Sequence, residues 1–212
     1  MKRLTAMIVV FVFFTFALPV GAFSSVYGPT GLVTLPTTEL LEEGKFRLNY
    51  FNLDLETNRF NFVYGVLSQL ELGVNVGISE EVNELSPHIK GVLIEETEAQ
   101  PSLAVGLVET DLYIMAGKAL GFKALDGYFG VGTGKYSTLM LGVKNSFTPL
   151  VIGDEDDRIE LPYGAVSAEY VGDSLNLGLE VDFSQNFGGQ AALMNILDDA
   201  SLMFGLQYSS YF

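Results

Sequence analysis

Apolar and polar residues alternate along most of the chain after residue 44, and this period of two is typical of β-strands. In LELGVNVGIS the apolar residues at 70, 72, 74, 76 and 78 share one face, and SLNLGLEVDF at 174–183 repeats the pattern. Stretches of this kind predict strands at residues 45–54, 58–66, 70–79, 88–95, 102–109, 111–119, 126–134, 137–144, 162–171, 174–183, 187–196 and 201–212. The sequence therefore predicts an all-β protein built as an antiparallel meander.

Two architectures bury such strands in opposite ways. In a soluble β-sandwich the apolar faces turn inward, whereas in a membrane barrel they turn outward to lipid and the polar faces line the lumen. Spanning strands need about 9 to 11 residues, which matches the predicted lengths better than the 5 to 6 usual in soluble sheets. An even strand number also fits a single-chain bacterial barrel. We therefore expect a closed transmembrane β-barrel of about 12 strands, with a soluble β-module as the alternative.

The N-terminus has the three-part layout of a secretory signal peptide. Lys2 and Arg3 precede the apolar run MIVVFVFFTFALPV, and small residues at Val20 and Ala22 predict cleavage after Ala22. The chain then divides into a signal peptide at 1–22, a lead segment at 23–44 and a barrel at 45–212. The lead segment is expected to lie in the periplasm or to plug the barrel, and TTELLEEG within it predicts one or two helical turns ending at Gly44.

Composition narrows the function classes. Of the 212 residues, 49% are hydrophobic and 17% charged, and 26 acidic against 11 basic residues give a net charge of -15. No basic cluster lies beyond the extreme N-terminus, so nucleic acid is excluded as an expected partner. The chain has no cysteine and therefore no disulfide or thiolate site.

No catalytic or cofactor motif stands out. GVGTGK at 130–135 has Phe129 and Tyr136 where a phosphate loop needs Gly and Ser or Thr. GDEDDRIE at 153–160 lacks the spacing of a calcium loop and is better explained as a solvated acidic loop. The single histidine, His88, has no recognisable catalytic partner. We expect no enzymatic activity, no cofactor and no metal.

In the barrel reading, polar side chains of the strands face the lumen. The candidates are Arg47, Asn49, Arg59, Asn61, Glu71, Asn75, Lys144, Glu169, Asn176, Glu180, Asp182 and Gln207. Lumenal carboxylates such as Glu71 and Glu180 are expected to pair with Arg47, Arg59 or Lys144. The last strand ends in FGLQYSSYF, and Phe204, Leu206, Tyr208 and Phe212 form a candidate insertion tail for the barrel-assembly machinery.

Several segments resemble one known family. GPTGLVTLPTTELLEEGKFRLNYF, HIKGVLIEETEAQPSLAVGL, YIMAGKAL, YFGVGTG and AEYVGDSLNLGLEV resemble the strand and turn patterns of YjbH-type proteins. That resemblance implies an outer-membrane β-barrel associated with exopolysaccharide or capsule production. This chain is shorter than those proteins and has no cysteine for a lipid anchor.

These expectations combine into one functional hypothesis. The chain is expected to be an exported, non-enzymatic barrel of a diderm outer membrane, with a structural role or a role in envelope or exopolysaccharide export. Its expected partners are outer-membrane lipid, the assembly machinery and polysaccharide. The alternative is a soluble periplasmic or secreted module that binds a ligand or partner. With twelve strands and periplasmic termini, the longest connection, 145–161, would also lie on the periplasmic side.

Overall fold

The computed structural model describes residues 23–79, 83–121, 124–137, 139–147, 151–152, 159–160 and 163–212. The predicted signal peptide lies outside these residues. Twelve antiparallel strands form a closed barrel in which sequence neighbours pair and the last strand pairs with the first. The predicted fold class is therefore confirmed. No helix in the described part of the chain is long and apolar enough to cross a membrane.

The barrel strands are β1 (Lys45–Leu53), β2 (Thr57–Leu67), β3 (Leu70–Ile78), β4 (Asn83–Ile94), β5 (Ser102–Val108), β6 (Asp111–Ala119), β7 (Leu125–Gly132), β8 (Met140–Phe147), β11 (Tyr163–Val171), β12 (Ser174–Asp182), β13 (Phe187–Met194) and β14 (Ser201–Tyr211). A separate two-stranded sheet, β9 (Val151–Ile152) and β10 (Ile159–Glu160), lies within the connection from β8 to β11. That connection was expected to be one loop from 145 to 161, but β8 continues to Phe147.

Two strand boundaries differ from the prediction by several residues. Strand β4 begins at Asn83 rather than at 88, so Pro87 lies inside it. The Pro87 carbonyl accepts a hydrogen bond from the Glu109 amide, just beyond β5, so the proline lies where the ladder with β5 ends. Strand β8 begins at Met140 rather than 137, because Gly134–Tyr136 forms a short 3-10 turn instead.

We call the end of the barrel where β1 begins and β14 finishes the proximal end, and the opposite end the distal end. The turns after β2, β4, β6, β8 and β12 lie at the proximal end because the strands alternate in direction. The long connection between β8 and β11 is therefore at the same end as the start of β1.

The barrel is polar inside and apolar outside. Along one row of neighbouring strands, Leu48 and Phe60 are 48% and 46% exposed, whereas Asn49 and Asn61 are 4% and 2% exposed. Every barrel strand carries at least one exposed large apolar side chain, whereas the buried side chains of the same strands include Glu71, Glu169 and Glu180. This is the arrangement of a transmembrane barrel and the reverse of a soluble sandwich.

Candidate functional site: the lumen and its internal segment

Residues 23–44, here called the internal segment, lie against the inward-facing side chains of the barrel. The segment begins near Gly188 at the proximal end, where Phe23 packs, and Tyr27 lies beside Arg59 and Lys135 at the distal end. It then returns and leaves over Gly65, where an added Cβ would lie 2.1 Å from the Glu42 carbonyl oxygen. The segment therefore enters and leaves at the proximal end and reaches the distal end at Tyr27.

The internal segment is folded by its own tight turns. The Val26 amide donates to the Val33 carbonyl, the Leu32 amide to Leu35, and the Thr37 amide to Thr30. The predicted helical turns at TTELLEEG are absent, and this prediction is wrong. The Leu41 amide donates to Glu71 of the barrel, and the Glu39 carbonyl accepts from Lys90, so neither group is available for an i to i+4 bond.

Glu169 on β11 fastens the distal half of the segment. Its carboxylate accepts hydrogen bonds from three successive amides, Val33 at 3.0 Å, Thr34 at 2.7 Å and Leu35 at 3.1 Å. The Thr34 hydroxyl donates to it at 2.6 Å, and the Asn176 amide of β12 at 2.8 Å. Successive amides that converge in this way form an anion-binding nest, and here the bound anion is a side chain of the barrel.

Glu71 on β3 fastens the proximal half in a similar way. It accepts from the Thr30 amide at 2.8 Å, the Thr30 hydroxyl at 2.6 Å and the Leu41 amide at 3.0 Å. Lys90 on β4 lies 3.1 Å from the same carboxylate and also donates to the Thr30 carbonyl at 2.7 Å. Both charged side chains are fully buried. Such a pair is stable only because the segment supplies the remaining hydrogen bonds.

A third charged contact involves Glu39 of the internal segment. Its carboxylate pairs with Lys144 on β8 and accepts a hydrogen bond from the Tyr128 hydroxyl at 2.7 Å. Burial alone would raise the pKa of Glu39, but the Lys144 ammonium, the Tyr128 hydroxyl and the Lys90 ammonium together outweigh burial and hold that pKa below its usual value. Glu39 is therefore held as a carboxylate inside the lumen.

Five inward-facing polar residues form a row across neighbouring strands. Gln207, Asn49, Asn61, Asn75 and Ser86 are successive partners on β14, β1, β2, β3 and β4. The Asn61 side chain donates to the Ser25 carbonyl at 2.9 Å, and that of Asn75 to the Val26 carbonyl at 2.7 Å. Asn61 and Asn75 of this row therefore bind the main chain of the segment at two successive residues.

The wall formed by β1 and β14 is different. The Nε and Nη1 atoms of Arg47, the Nδ2 atom of Asn49 and the Oε1 atom of Gln207 are buried and have no hydrogen-bond partner within the described residues. Arg47 is only 2% exposed. The segment thus forms no hydrogen bond with these four atoms.

Apolar side chains fill the rest of the interior in two clusters. One joins Leu32 and Leu35 of the segment to the β5–β8 side of the barrel, with Tyr113, Met115 and Tyr136. The other joins Val26 and Val33 to the distal part of β1, β13 and β14; its barrel members are Phe51, Ala192, Met194 and Met203. The close approach of Val33 depends on the glycine at 178, because Val33 Cγ2 lies 2.8 Å from where a Cβ on Gly178 would stand.

Tyr27 closes the distal end. Its ring has the Arg59 guanidinium 5.5 Å from its centre and the Lys135 ammonium 5.2 Å from its centre. Arg59 pairs with Glu84 at 3.1 Å, and Lys135 lies 3.5 Å from Glu109. Burial raises the pKa of the Tyr27 hydroxyl. The turn of the segment is thereby held between two cations at the rim.

The structure gives a position to each lumenal candidate. Ten side chains belong to buried residues: Arg47, Asn49, Asn61, Glu71, Asn75, Lys144, Glu169, Asn176, Glu180 and Gln207. Arg59 and Asp182 are partly buried. Among the described ion pairs, Glu71 pairs with Lys90 rather than with one of the three expected cations, Arg59 pairs with Glu84, and Lys144 pairs with Glu39.

Sequence reasoning missed Lys90, Tyr128, Gln190 and Glu39. Lys90 could have been found from the alternation of Ser86, His88 and Lys90, all buried, with exposed Leu85, Pro87 and Ile89. His88 packs against Gly28 and Gly73, and neither ring nitrogen has a hydrogen-bond partner in the described structure. No group of three or more His, Asp or Glu among the described residues could hold a metal ion.

The candidate insertion tail lies on the outer surface. Phe204, Leu206 and Phe212 are exposed and Tyr208 is partly exposed. The Phe212 ring lies 4.6 Å from that of Phe46 and 5.7 Å from that of Tyr64. Phe212 therefore belongs to an aromatic group at the proximal rim, and aromatic girdles of this kind mark the membrane interfaces of such barrels.

Solved structures share this architecture. The KdgM porin matches with a TM-score of 0.52 and 12% identity, over 79% of this chain and 99% of that chain. The barrel has the fold of that porin. A structure of the KdgM porin in complex with disordered oligogalacturonate matches equally well, with a TM-score of 0.52 and 12% identity over the same shares of the chains.

A weaker match is the outer membrane protein Omp33 of Acinetobacter baumannii. Its TM-score is 0.44 at 10% identity, over 79% of this chain and 97% of that chain. No protein-family model and no curated protein matches the sequence.

Proposed function

We propose that this chain is a non-enzymatic outer-membrane β-barrel protein whose lumen is closed by its own residues 23–44. The observation that carries the proposal is the combination of an apolar exterior with a lumen in which Glu71 and Glu169 bind the segment. Its role is structural: the barrel is a rigid element of the envelope rather than an open pore. The porin fold of its structural neighbours supports the membrane location.

A role in envelope or exopolysaccharide export, as the YjbH resemblance implies, is the finer candidate. Export through the lumen would require the internal segment to move, because its apolar side chains pack in two clusters that fill the interior. These side chains are Val26, Leu32, Val33 and Leu35. The segment is held by polar contacts at two levels, so export requires both to be released. The partners proposed here are outer-membrane lipid along the apolar exterior and the assembly machinery at the last strand, with polysaccharide as the exported ligand.

Two measurements on the full chain test the membrane proposal. Envelopes are washed with alkaline carbonate, and the protein is run on gels with and without boiling. We expect the protein to stay in the membrane pellet and to migrate differently when unboiled. A protein that carbonate releases, that migrates identically in both lanes and that is monodisperse without detergent would instead be the soluble β-module.

The tail provides a separate test. Deleting Phe212 removes the ring that packs on Phe46 and Tyr64 and the amide that donates to the Gly44 carbonyl. We expect the truncated protein to remain in the periplasm, degraded or aggregated. Leu197, an exposed apolar residue in a distal turn, gives the control: Leu197→Ala should assemble normally. Normal assembly of the Phe212 deletion would make the tail an ordinary strand end.

A further inference from the structure

The contacts inside the lumen are mostly to the main chain of the internal segment. Barrel side chains bind the amides of Thr30, Val33, Thr34, Leu35 and Leu41, and the carbonyls of Ser25, Val26, Thr30, Leu32 and Glu39. Recognition of main-chain groups by fixed side chains is how proteins bind peptides without depending on most of the peptide sequence.

Two threonines add side-chain specificity. Each carboxylate binds the amide and the hydroxyl of one threonine: Glu71 binds Thr30, and Glu169 binds Thr34. The carboxylates lie on opposite sides of the barrel order, on β3 and β11, so they fix both the position and the direction of the bound chain. A valine at either position would leave a buried carboxylate with one bond fewer.

The segment also has the properties of a separable ligand. Its turns are formed by its own hydrogen bonds, such as Val26 to Val33, and none of its residues belongs to a barrel strand. It joins the barrel only through Glu42, Glu43 and Gly44, and the first two are exposed at the proximal end.

We propose that the lumen is a peptide-binding site that recognises a turn-forming main chain with threonines four residues apart, and that residues 23–44 occupy it in cis. The same site therefore binds this segment when it is supplied as a separate peptide. The inference concerns the lumen alone and holds whether or not the barrel resides in an outer membrane.

A cleavable form of the full chain tests this. A protease recognition sequence is inserted between Glu42 and Glu43, and the chain is folded in detergent and cut. The cut protein is denatured in urea and refolded with an excess of fluorescent peptide comprising residues 23–42. The label in the folded, heat-modifiable band is then measured. The matched control peptide carries Thr30→Val and Thr34→Val.

We expect the labelled peptide in the folded band and about tenfold less of the control peptide. A folded band without label, equal labelling by both peptides, or no folding in the presence of the peptide would each overturn the proposal. If the first insertion prevents folding of the uncut chain, the same sequence between Glu43 and Gly44 replaces it. Failure of both uncut insertions to fold would show that the segment binds only at its native spacing from β1, which also overturns the proposal.

Discussion

The internal segment faces two walls of the barrel whose buried cations differ in their hydrogen bonds. On the wall of β3 and β4, Lys90 pairs with Glu71 and both bind the segment. On the wall of β1 and β14, Arg47 is as deeply buried, yet two of its guanidinium nitrogens lack hydrogen-bond partners in the described residues. A polar group can therefore be buried in this lumen without binding the segment.

Replacing the buried cation of each wall should change the free energy of unfolding by very different amounts. Lys90→Met leaves the Glu71 carboxylate buried without its counter-charge, and breaking such a pair costs about 3 to 5 kcal/mol. Arg47→Met, of similar size, removes a buried charge whose Nε and Nη1 atoms make no hydrogen bond within the described residues, and we expect the free energy of unfolding to fall by less than about 1 kcal/mol. Urea unfolding of both variants in detergent measures the difference. Equal losses of stability would remove the distinction between the walls.

The second prediction compares two glutamates on neighbouring strands. Glu169→Gln replaces a carboxylate that accepts hydrogen bonds from three amides and a hydroxyl. We expect the free energy of unfolding to fall by about 2 to 3 kcal/mol. Glu180 is equally buried, but its one hydrogen bond from the described residues comes from Gln190 at 3.3 Å. Glu180→Gln should therefore leave the unfolding free energy unchanged or slightly higher. The reverse order in the same urea titration would contradict this account.

The third prediction tests the exit of the segment. At Gly65 an added Cβ would meet the Glu42 carbonyl at 2.1 Å, whereas at Gly91 the nearest atom lies 3.5 Å away. Gly65→Ala should therefore displace the segment and lower the free energy of unfolding by about 1 to 3 kcal/mol. Gly91→Ala should leave that free energy nearly unchanged. Limited proteolysis between residues 23 and 44 gives the readout, and resistance of Gly65→Ala equal to that of the unmodified chain would count against this path.

The smallest expected effect is the pH dependence from Glu39. Its pKa is lower in the folded chain than in the unfolded chain, because Lys144, Tyr128 and Lys90 together outweigh burial. The stability it adds is therefore complete above its unfolded pKa of about 4.3 and is lost as the pH falls through the lower folded pKa. Glu39→Gln should flatten the decline in unfolding free energy below about pH 4. An unchanged acid profile in this variant would assign the decline to other groups.

The strand pattern predicted the barrel well because period two survives across nearly every strand. Periodicity could not show whether the apolar or the polar face of each strand turns inward, since a sandwich and a barrel have the same period. Where the pattern failed, another contact decided the local structure. Pro87 fits inside β4 because the ladder to β5 ends there, and TTELLEEG is not helical because Glu71 and Lys90 bind its main chain.

The lumen site could be predicted only in part. Inward positions such as Asn49, Asn61 and Glu180 follow from alternation, which requires no knowledge of partners. The partners themselves are distant in sequence, as in the bond between Thr34 and Glu169 across 135 residues. No local signal indicates that Thr30 and Thr34 bind carboxylates of the wall, so the role of the internal segment required the three-dimensional structure.

Conductance across a planar bilayer tests whether residues 23–44 close the lumen through their contacts with the wall. The chain has no cysteine, so Val33→Cys with Gly178→Cys places a disulfide between segment and barrel, with Val33→Cys alone as the control. We predict a closed baseline for the unmodified chain and for the cross-linked pair before and after reduction. Persistent open-pore steps from the unmodified chain, together with steps from the reduced cysteine pair that vanish when its disulfide forms, would show instead that the segment leaves the lumen open.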